Sequence, residues 1–300
     1  MSARLRAVAA ETEEIVAAGG YRAPDGRWVS LAAWTEAART GTRIFGPEPV
    51  PLRQTGGSGA GAFAGACAGS AAGTVFEVTG ESSLEAARRL SGAPVAVLNF
   101  ASARNPGGGY LNGAQAQEEA LCRASALHTC LLTARAFYDH HRAHRDPFYT
   151  DRVIHSPAVP VFRDDRGRLL AEPYLAGFLT AAAPNAGVVR RSAPERVAGL
   201  PGALAARAER VLETAAAHGY GRLVLGAWGC GVFRNDPAQV AGAFRALLGP
   251  GGRFAGAFGH VVFGVLDRTP GAVVREAFAR AFPEARGRTA GAPYAGQVQP

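Results

Sequence analysis

Two carboxylates stand side by side at Glu118 and Glu119, the second of them ten residues beyond the last of three consecutive glycines, Gly107-Gly108-Gly109. A carboxylate held beside a bound substrate can give and take a proton. Three glycines in a row cost backbone entropy. They are tolerated where a backbone must approach a ligand closely or turn several N–H groups toward it. A second glycine-rich segment, Gly226-Ala227-Trp228-Gly229-Cys230-Gly231-Val232-Phe233, offers the same chemistry, since successive backbone N–H groups can wrap a diphosphate. Neither segment carries a P-loop lysine, and the GxGxxG spacing of a dinucleotide-binding turn is absent. Each feature alone also has a plain reading. Glutamates in an early helical turn are favoured by the helix dipole, and a glycine-rich connection needs no ligand.

Position supplies more than either feature does. Val95–Phe100 is a continuous apolar run, the pattern of a strand buried on both faces of a sheet. It ends just before Asn105-Pro106 and the three glycines, and the spacing of Asn112 and Gln115 predicts a helix from Gly113 to Tyr138. Ala120, Ala124, Leu127, Leu131, Ala134 and Tyr138 form its core-facing stripe. Arg222–Ala227 repeats the arrangement, a strand ending in glycines before a helix over Pro237–Leu248 capped by Asp236. Further strands are expected at Thr74–Val78, Arg152–Val161, Gly177–Ala182 and His260–Leu266. Further helices are expected at Ser83–Leu90, Glu195–Ala217 and, capped by Thr269, Pro270–Phe282. Strands alternating with helices imply an α/β domain of three layers, and ligands of such sheets bind outside the carboxyl ends of strands. Residues 1–60, with helical stretches at 2–18 and 31–39, read as an N-terminal helical accessory region. Residues 61–285 read as the catalytic domain, and 286–300 as a flexible tail. The Gly-, Ala- and Ser-rich stretch from Gly56 to Gly73 reads as a flexible loop.

The chain has 300 residues, 48% hydrophobic and 19% charged, which excludes a disordered protein. Its net charge of +8 suits a phosphate-rich substrate, but the arginines are scattered and no basic run marks a nucleic-acid surface. Cys67, Cys122, Cys130 and Cys230 form no CxxC pair. No apolar run has membrane-spanning length, and the N-terminus lacks a signal-peptide core, so the expected location is cytoplasmic. His140, His141 and His144 have a spacing that can bind zinc, yet no third ligand accompanies them, and a solvated helix end explains them better. Cys230 reads as packing, Trp228 as either pocket wall or core, and His155-Ser156 as strand rather than a nucleophilic site.

Taken in order, Gly107-Gly108-Gly109 followed by Gln117-Glu118-Glu119 resembles the GGG…QEE signature of poly(ADP-ribose) glycohydrolases. LNFASARNPGGG at 98–109, HSPAVPVFRDD at 155–165, APNAG at 183–187 and LGAWGCGVFRNDP at 225–237 are similar to the microbial-type branch. The resemblance implies a macrodomain-like mixed sheet, ADP-ribose as the bound unit, and neither metal nor cofactor. It implies Glu119 as the catalytic glutamate, Glu118 as its neighbour on the distal ribose, and Gln117 as support for their loop. Gly107–Gly109 would line the scissile ribose. Gly229, Cys230, Gly231, Val232 and Phe233 would hold the diphosphate, with the Phe233 ring over the ribose. Asn99, Asn105 and Pro106 are candidate ribose or loop-fixing contacts, and Glu77–Thr79 and the turn after Leu266 are candidate adenine contacts. The expected partners are poly(ADP-ribose) or ADP-ribosylated protein, with ADP-ribose as product and the chain a monomer. The expected reaction is hydrolysis of ribose–ribose bonds, from chain ends. A mono-ADP-ribosyl hydrolase and a non-catalytic ADP-ribose-binding module stay open as alternatives.

Overall fold

A computed structural model describes residues 2–52 and 73–287. Cys67, the glycine-rich stretch up to residue 72, and the tail beyond residue 287 lie outside the described residues. The strands, in chain order, are β1 (Gly20–Arg22), β2 (Trp28–Ser30), β3 (Arg43–Phe45), β4 (Val75–Thr79), β5 (Val95–Phe100), β6 (Val153–Arg163), β7 (Leu169–Ala181), β8 (Arg222–Leu225) and β9 (His260–Gly264). β1 and β2 form a small hairpin, and the other seven form one mixed sheet ordered β3-β6-β7-β5-β8-β9-β4. β7, β5, β8, β9 and β4 run parallel, while β3 and β6 are antiparallel to their neighbours. The carboxyl ends of the five parallel strands therefore share one edge, and both glycine-rich segments leave from it.

The apolar run 95–98 explains the layering. Val95 and Val97 face one core, with Leu121, Leu127, Leu131, Phe137 and Tyr138. Ala96 and Leu98 face the other, with Leu204, Val211, Phe244 and Phe278. Both faces of β5 are thus covered by helices, the three-layer α/β/α arrangement expected. The N-terminal helix Ala3–Ala18 is capped by Ser2 and stopped by Gly19 at φ +72°. It contributes Ala9 to the first core. β3 joins the main sheet through β6, so residues 43–45 are part of the central layer. No helix among the described residues is long and apolar enough to cross a membrane.

The continuous helix expected over Gly113–Tyr138 is instead three, Gln117–Ala124, Leu127–Thr133 and Arg135–Ala143, preceded by a 3-10 turn at Tyr110–Asn112. The cause is tertiary. Ser125 adopts extended backbone and bridges Val161 of β6, and the Ala126 N–H donates to Pro160 O at 3.1 Å. Most of the stripe stays buried, since only short segments of helix are redirected. Before the helix Leu200–Ala217 comes a 3-10 segment at Pro194–Gly199, and a short helix at Ala186–Ser192 is additional to the expected set. Asp236 caps its helix as expected, donors being the N–H groups of Ala238 and Gln239. Thr269 does not cap: the last helix begins at Val273, and Asp267 accepts from the Val274 and Arg275 N–H groups.

Candidate active site

The helix Gln117–Ala124 starts four residues later than expected, and this delay places all three polar residues of its first turn. Gln117 reaches back to β5: its Oε1 accepts from the Phe100 N–H at 2.9 Å, and its Nε2 donates to Leu98 O at 2.8 Å and Ser83 Oγ at 3.0 Å. It completes the strand's hydrogen bonding where the sheet ends. Glu118 is 2% exposed. Its Oε2 accepts from the Ser102 N–H at 2.7 Å and its Oε1 from Asn99 Nδ2 at 3.3 Å, while Asn99 also donates to Thr180 Oγ1 at 3.1 Å. Burial pushes the Glu118 carboxyl up to about 8. The donors on it pull the other way, and the nearby Glu119 adds to the rise. Glu119 is 7% exposed. Its Oε1 accepts from the Gly109 N–H and its Oε2 from the Ala116 N–H, both at 2.9 Å.

Neighbouring helical residues diverge by about 100°, yet both carboxylates reach the same glycine. Gly108 has φ +59°, and a Cβ built there would lie 2.5 Å from Glu119 Oε1 and 3.2 Å from Glu118 Oε2. Gly107, at φ +68°, leaves room for His128 and Cys122, and a Cβ on Gly109 would meet Ala114 at 2.7 Å. The run of three glycines therefore answers three separate close approaches. Asn105 is exposed and acts through its backbone, its carbonyl accepting from the Gly108 N–H at 2.9 Å, with Pro106 half-buried beside it.

The second segment turns back on itself around Asn235. The Asn235 Nδ2 donates to Pro184 O at 2.8 Å and Gly229 O at 3.2 Å, and a Cβ at Gly229 (φ +71°) would clash with Asn235 and Ala183. Among the described residues, the N–H groups of Gly231, Val232 and Phe233 meet no acceptor, so three consecutive donors stand ready for an anion. The Phe233 ring lies 5.8 Å from that of Tyr149. Tyr149 and Arg234, the residue after Phe233, both have φ +57°, a conformation that few residues other than glycine adopt. Asn235 and Tyr149 were not among the expected site residues. APNAG was a sequence signal for the Pro184 end of the Asn235 contact, whereas Tyr149 lies 84 residues from Phe233 and gives none.

A cavity of about 480 Å³, within the range of small-molecule sites, lies between the start of the helix Gln117–Ala124 and the second glycine-rich segment. Phe100, Gln115, Ala116 and Gln117 form one wall, Ala227, Cys230 and Gly231 another, and Leu266, Asp267 and Thr269 a third. Ser82 and Asp165, hydrogen-bonded at 2.7 Å, close part of its rim. The turn after Leu266 thus borders it. Glu77 does not, being paired with Arg89 and His260. Glu118 and Glu119 are not in the wall but lie against the glycine turn behind Gln117.

Other candidates fall outside this region or into the core. Trp228 is buried, with its Nε1 donating to Ala181 O at 3.0 Å. Burial pushes the Cys230 thiol up to about 12, against a nucleophilic role. His140 and His144 stack with ring centroids 4.1 Å apart, as a solvated helix end allows. His141 departs from that reading, being buried and 2.8 Å from Thr150 Oγ1. His155 lies within β6 beside a bulge at Pro157 and contacts Tyr220.

Residues 9–164 match the family described as the catalytic domain of microbial-type poly(ADP-ribose) glycohydrolase (PARG). Among solved structures, poly(ADP-ribose) glycohydrolase from Thermomonospora curvata is 49% identical with a TM-score of 0.84, covering 94% of this chain and 100% of that one. The Thermomonospora enzyme bound to the inhibitor ADP-HPD is 50% identical with a TM-score of 0.83 over the same coverage. The Deinococcus radiodurans glycohydrolase in complex with ADP-ribose is 46% identical with a TM-score of 0.72, covering 83% of this chain and 96% of that one. Comparison with curated proteins gave no match.

Proposed function

The chain belongs to the microbial-type poly(ADP-ribose) glycohydrolase family, and from that premise we propose that it hydrolyses the ribose–ribose bonds of poly(ADP-ribose), releasing ADP-ribose, with Glu119 as the proton-transferring carboxylate. The observation that carries this reading is Gly108, whose missing side chain brings a backbone turn against both Glu118 and Glu119. Solved relatives named for this activity hold ADP-ribose and the inhibitor ADP-HPD. In this reading the nucleoside occupies the cavity bordered by Phe100 and the turn after Leu266. The diphosphate accepts from the Gly231–Phe233 N–H groups, and the distal ribose passes Gln117 to reach Gly107–Gly109.

Cleavage of a glycosidic bond passes through an oxocarbenium-like transition state and needs a proton for the leaving oxygen. Glu119 supplies it and then takes a proton from the attacking water. Glu118, whose neutral form burial favours, can donate a hydrogen bond to the distal ribose without adding a second negative charge. Gly109 and Ala116 hold the Glu119 oxygens in one place, which is how positioning lowers the barrier. The bound unit is the polymer's terminal ADP-ribose, so release proceeds from chain ends.

Purified protein incubated with poly(ADP-ribose) and followed for free ADP-ribose tests the activity. Accumulating ADP-ribose is the expected result; polymer binding with no release would identify a reader instead.

A further inference from the structure

The N-terminal helix reaches the glycine turn through one carboxylate. Glu13, half-exposed on the helix Ala3–Ala18, places its Oε1 2.9 Å from the Tyr110 hydroxyl and 3.1 Å from His128 Nδ1. Tyr110 and His128 are both buried, with ring centroids 5.0 Å apart, and the Tyr110 hydroxyl also lies 3.2 Å from Ala9 O. These two rings are the floor of the turn. Tyr110 follows Gly109 directly, and its own N–H donates to Gly107 O at 3.1 Å. The His128 ring edge lies 3.1 Å from where a Cβ on Gly107 would be. Gly109, one residue before Tyr110, donates to the Glu119 carboxylate.

We infer that Glu13 is a positioning residue for the reaction: by holding Tyr110 and His128 together it fixes the floor of the triple-glycine turn, and so fixes the Gly109 N–H that orients Glu119. This rests on the glycohydrolase reading above. Burial pushes the Glu13 carboxyl up, but its hydrogen bond and charge interaction with His128, with the Tyr110 hydroxyl, outweigh burial and hold it below the ordinary range. Two further attachments keep the same helix on this segment. The Ser2 N–H donates to Gly113 O at 3.3 Å, and Thr12 Oγ1 donates to Arg123 O at 2.8 Å. A helix outside the pocket thereby becomes part of the catalytic geometry without touching the ligand. Nothing in local sequence signals this, because Glu13 and Tyr110 are 97 residues apart.

The test compares Glu13→Ala, Glu13→Gln and Tyr110→Phe with the wild-type chain, measuring kcat and KM on poly(ADP-ribose) and ADP-ribose affinity by calorimetry. Displacement of catalytic groups on the order of 1 Å costs up to about 100-fold in rate. Glu13→Ala is accordingly expected to lower kcat by about 10- to 100-fold, with KM and ADP-ribose affinity nearly unchanged. Glu13→Gln keeps an oxygen for both partners and is expected to recover most of the lost kcat. A Glu13→Ala chain that folds and turns over at the wild-type kcat overturns the inference, as does a loss seen in ADP-ribose affinity alone. If Glu13→Ala fails to fold, Tyr110→Phe decides: a lower kcat at unchanged affinity supports the inference, and a wild-type kcat overturns it. Failure of the glycohydrolase reading itself is distinguishable, since the wild-type protein would then release no ADP-ribose.

Discussion

Gly108→Ala separates the geometry of the carboxylates from their mere presence. The added Cβ would sit 2.5 Å from Glu119 Oε1. An ordinary carbon–oxygen contact is about 3.3 Å or more, so the turn and the carboxylate must part by roughly 0.8 Å. Glu119 has little freedom to yield, because Gly109 and Ala116 each donate to one of its oxygens. The position also has φ +59°, which costs an alanine about 1–2 kcal/mol. For a chain of this size that strain lowers Tm by about 2–3 °C. The displacement is expected to lower kcat by about 100-fold. The assay is initial-rate release of ADP-ribose from purified polymer, with thermal denaturation in parallel. Gly219→Ala provides the control for strain alone: φ is +72° and nothing lies within 4 Å of its added Cβ. It should lose Tm by a similar amount and keep its kcat. If Gly108→Ala loses Tm as Gly219→Ala does while retaining wild-type kcat, the geometry assigned to Glu119 is wrong.

Two predictions concern pH. Burial raises Glu118 from the ordinary value of 4.5 to about 8. Its protonated form is therefore favoured by folding, a contribution present below pH 4.5 and lost as pH rises through 8. Glu118→Gln should flatten that decline, so its Tm relative to wild type rises between pH 5 and pH 9, while KM for polymer increases; parallel Tm curves would contradict the burial argument. His155 has the opposite sign. Burial, and then the neighbouring His218, lower it from 6.5 to about 3. Its stabilising contribution is full above pH 6.5 and is lost progressively as pH falls toward 3, by up to about 1.4 kcal/mol per pH unit. His155→Gln should be less acid-sensitive than wild type between pH 6.5 and 4 in thermal denaturation, and an unchanged acid slope would refute it.

What the sequence made legible was whatever a short window decides. Val95–Leu98 is apolar on both faces of its strand, so its place at the centre of a covered sheet follows from the residues themselves. Asp236-Pro237 marks a helix start by local chemistry, and the structure caps that helix in that way. Ser125 was not legible, because the partner that pulls it out of the helix is Val161, far along the chain. Thr269 was passed over for the same class of reason, since Asp267 reaches the free N–H groups from a turn that sequence spacing does not describe. The three-residue strands β1, β2 and β3 are too short to show a period. At the site, the glycines and glutamates were visible as residue types with a familiar spacing. Their reason for being glycine was not, because it lies in a contact between Gly108 and two side chains ten and eleven residues on. His141 looked like one of a solvated group until the fold buried it against Thr150.

The most direct measurement is the turnover of Glu119→Gln on saturating poly(ADP-ribose), read as ADP-ribose released per enzyme, beside its affinity for ADP-ribose. The amide keeps the shape of the side chain and removes the ionisable carboxyl proton. Turnover lower by at least about 100-fold with ADP-ribose still bound is the predicted result, since positioned acid–base groups contribute about that much or more. Wild-type turnover by Glu119→Gln would contradict the account at its centre.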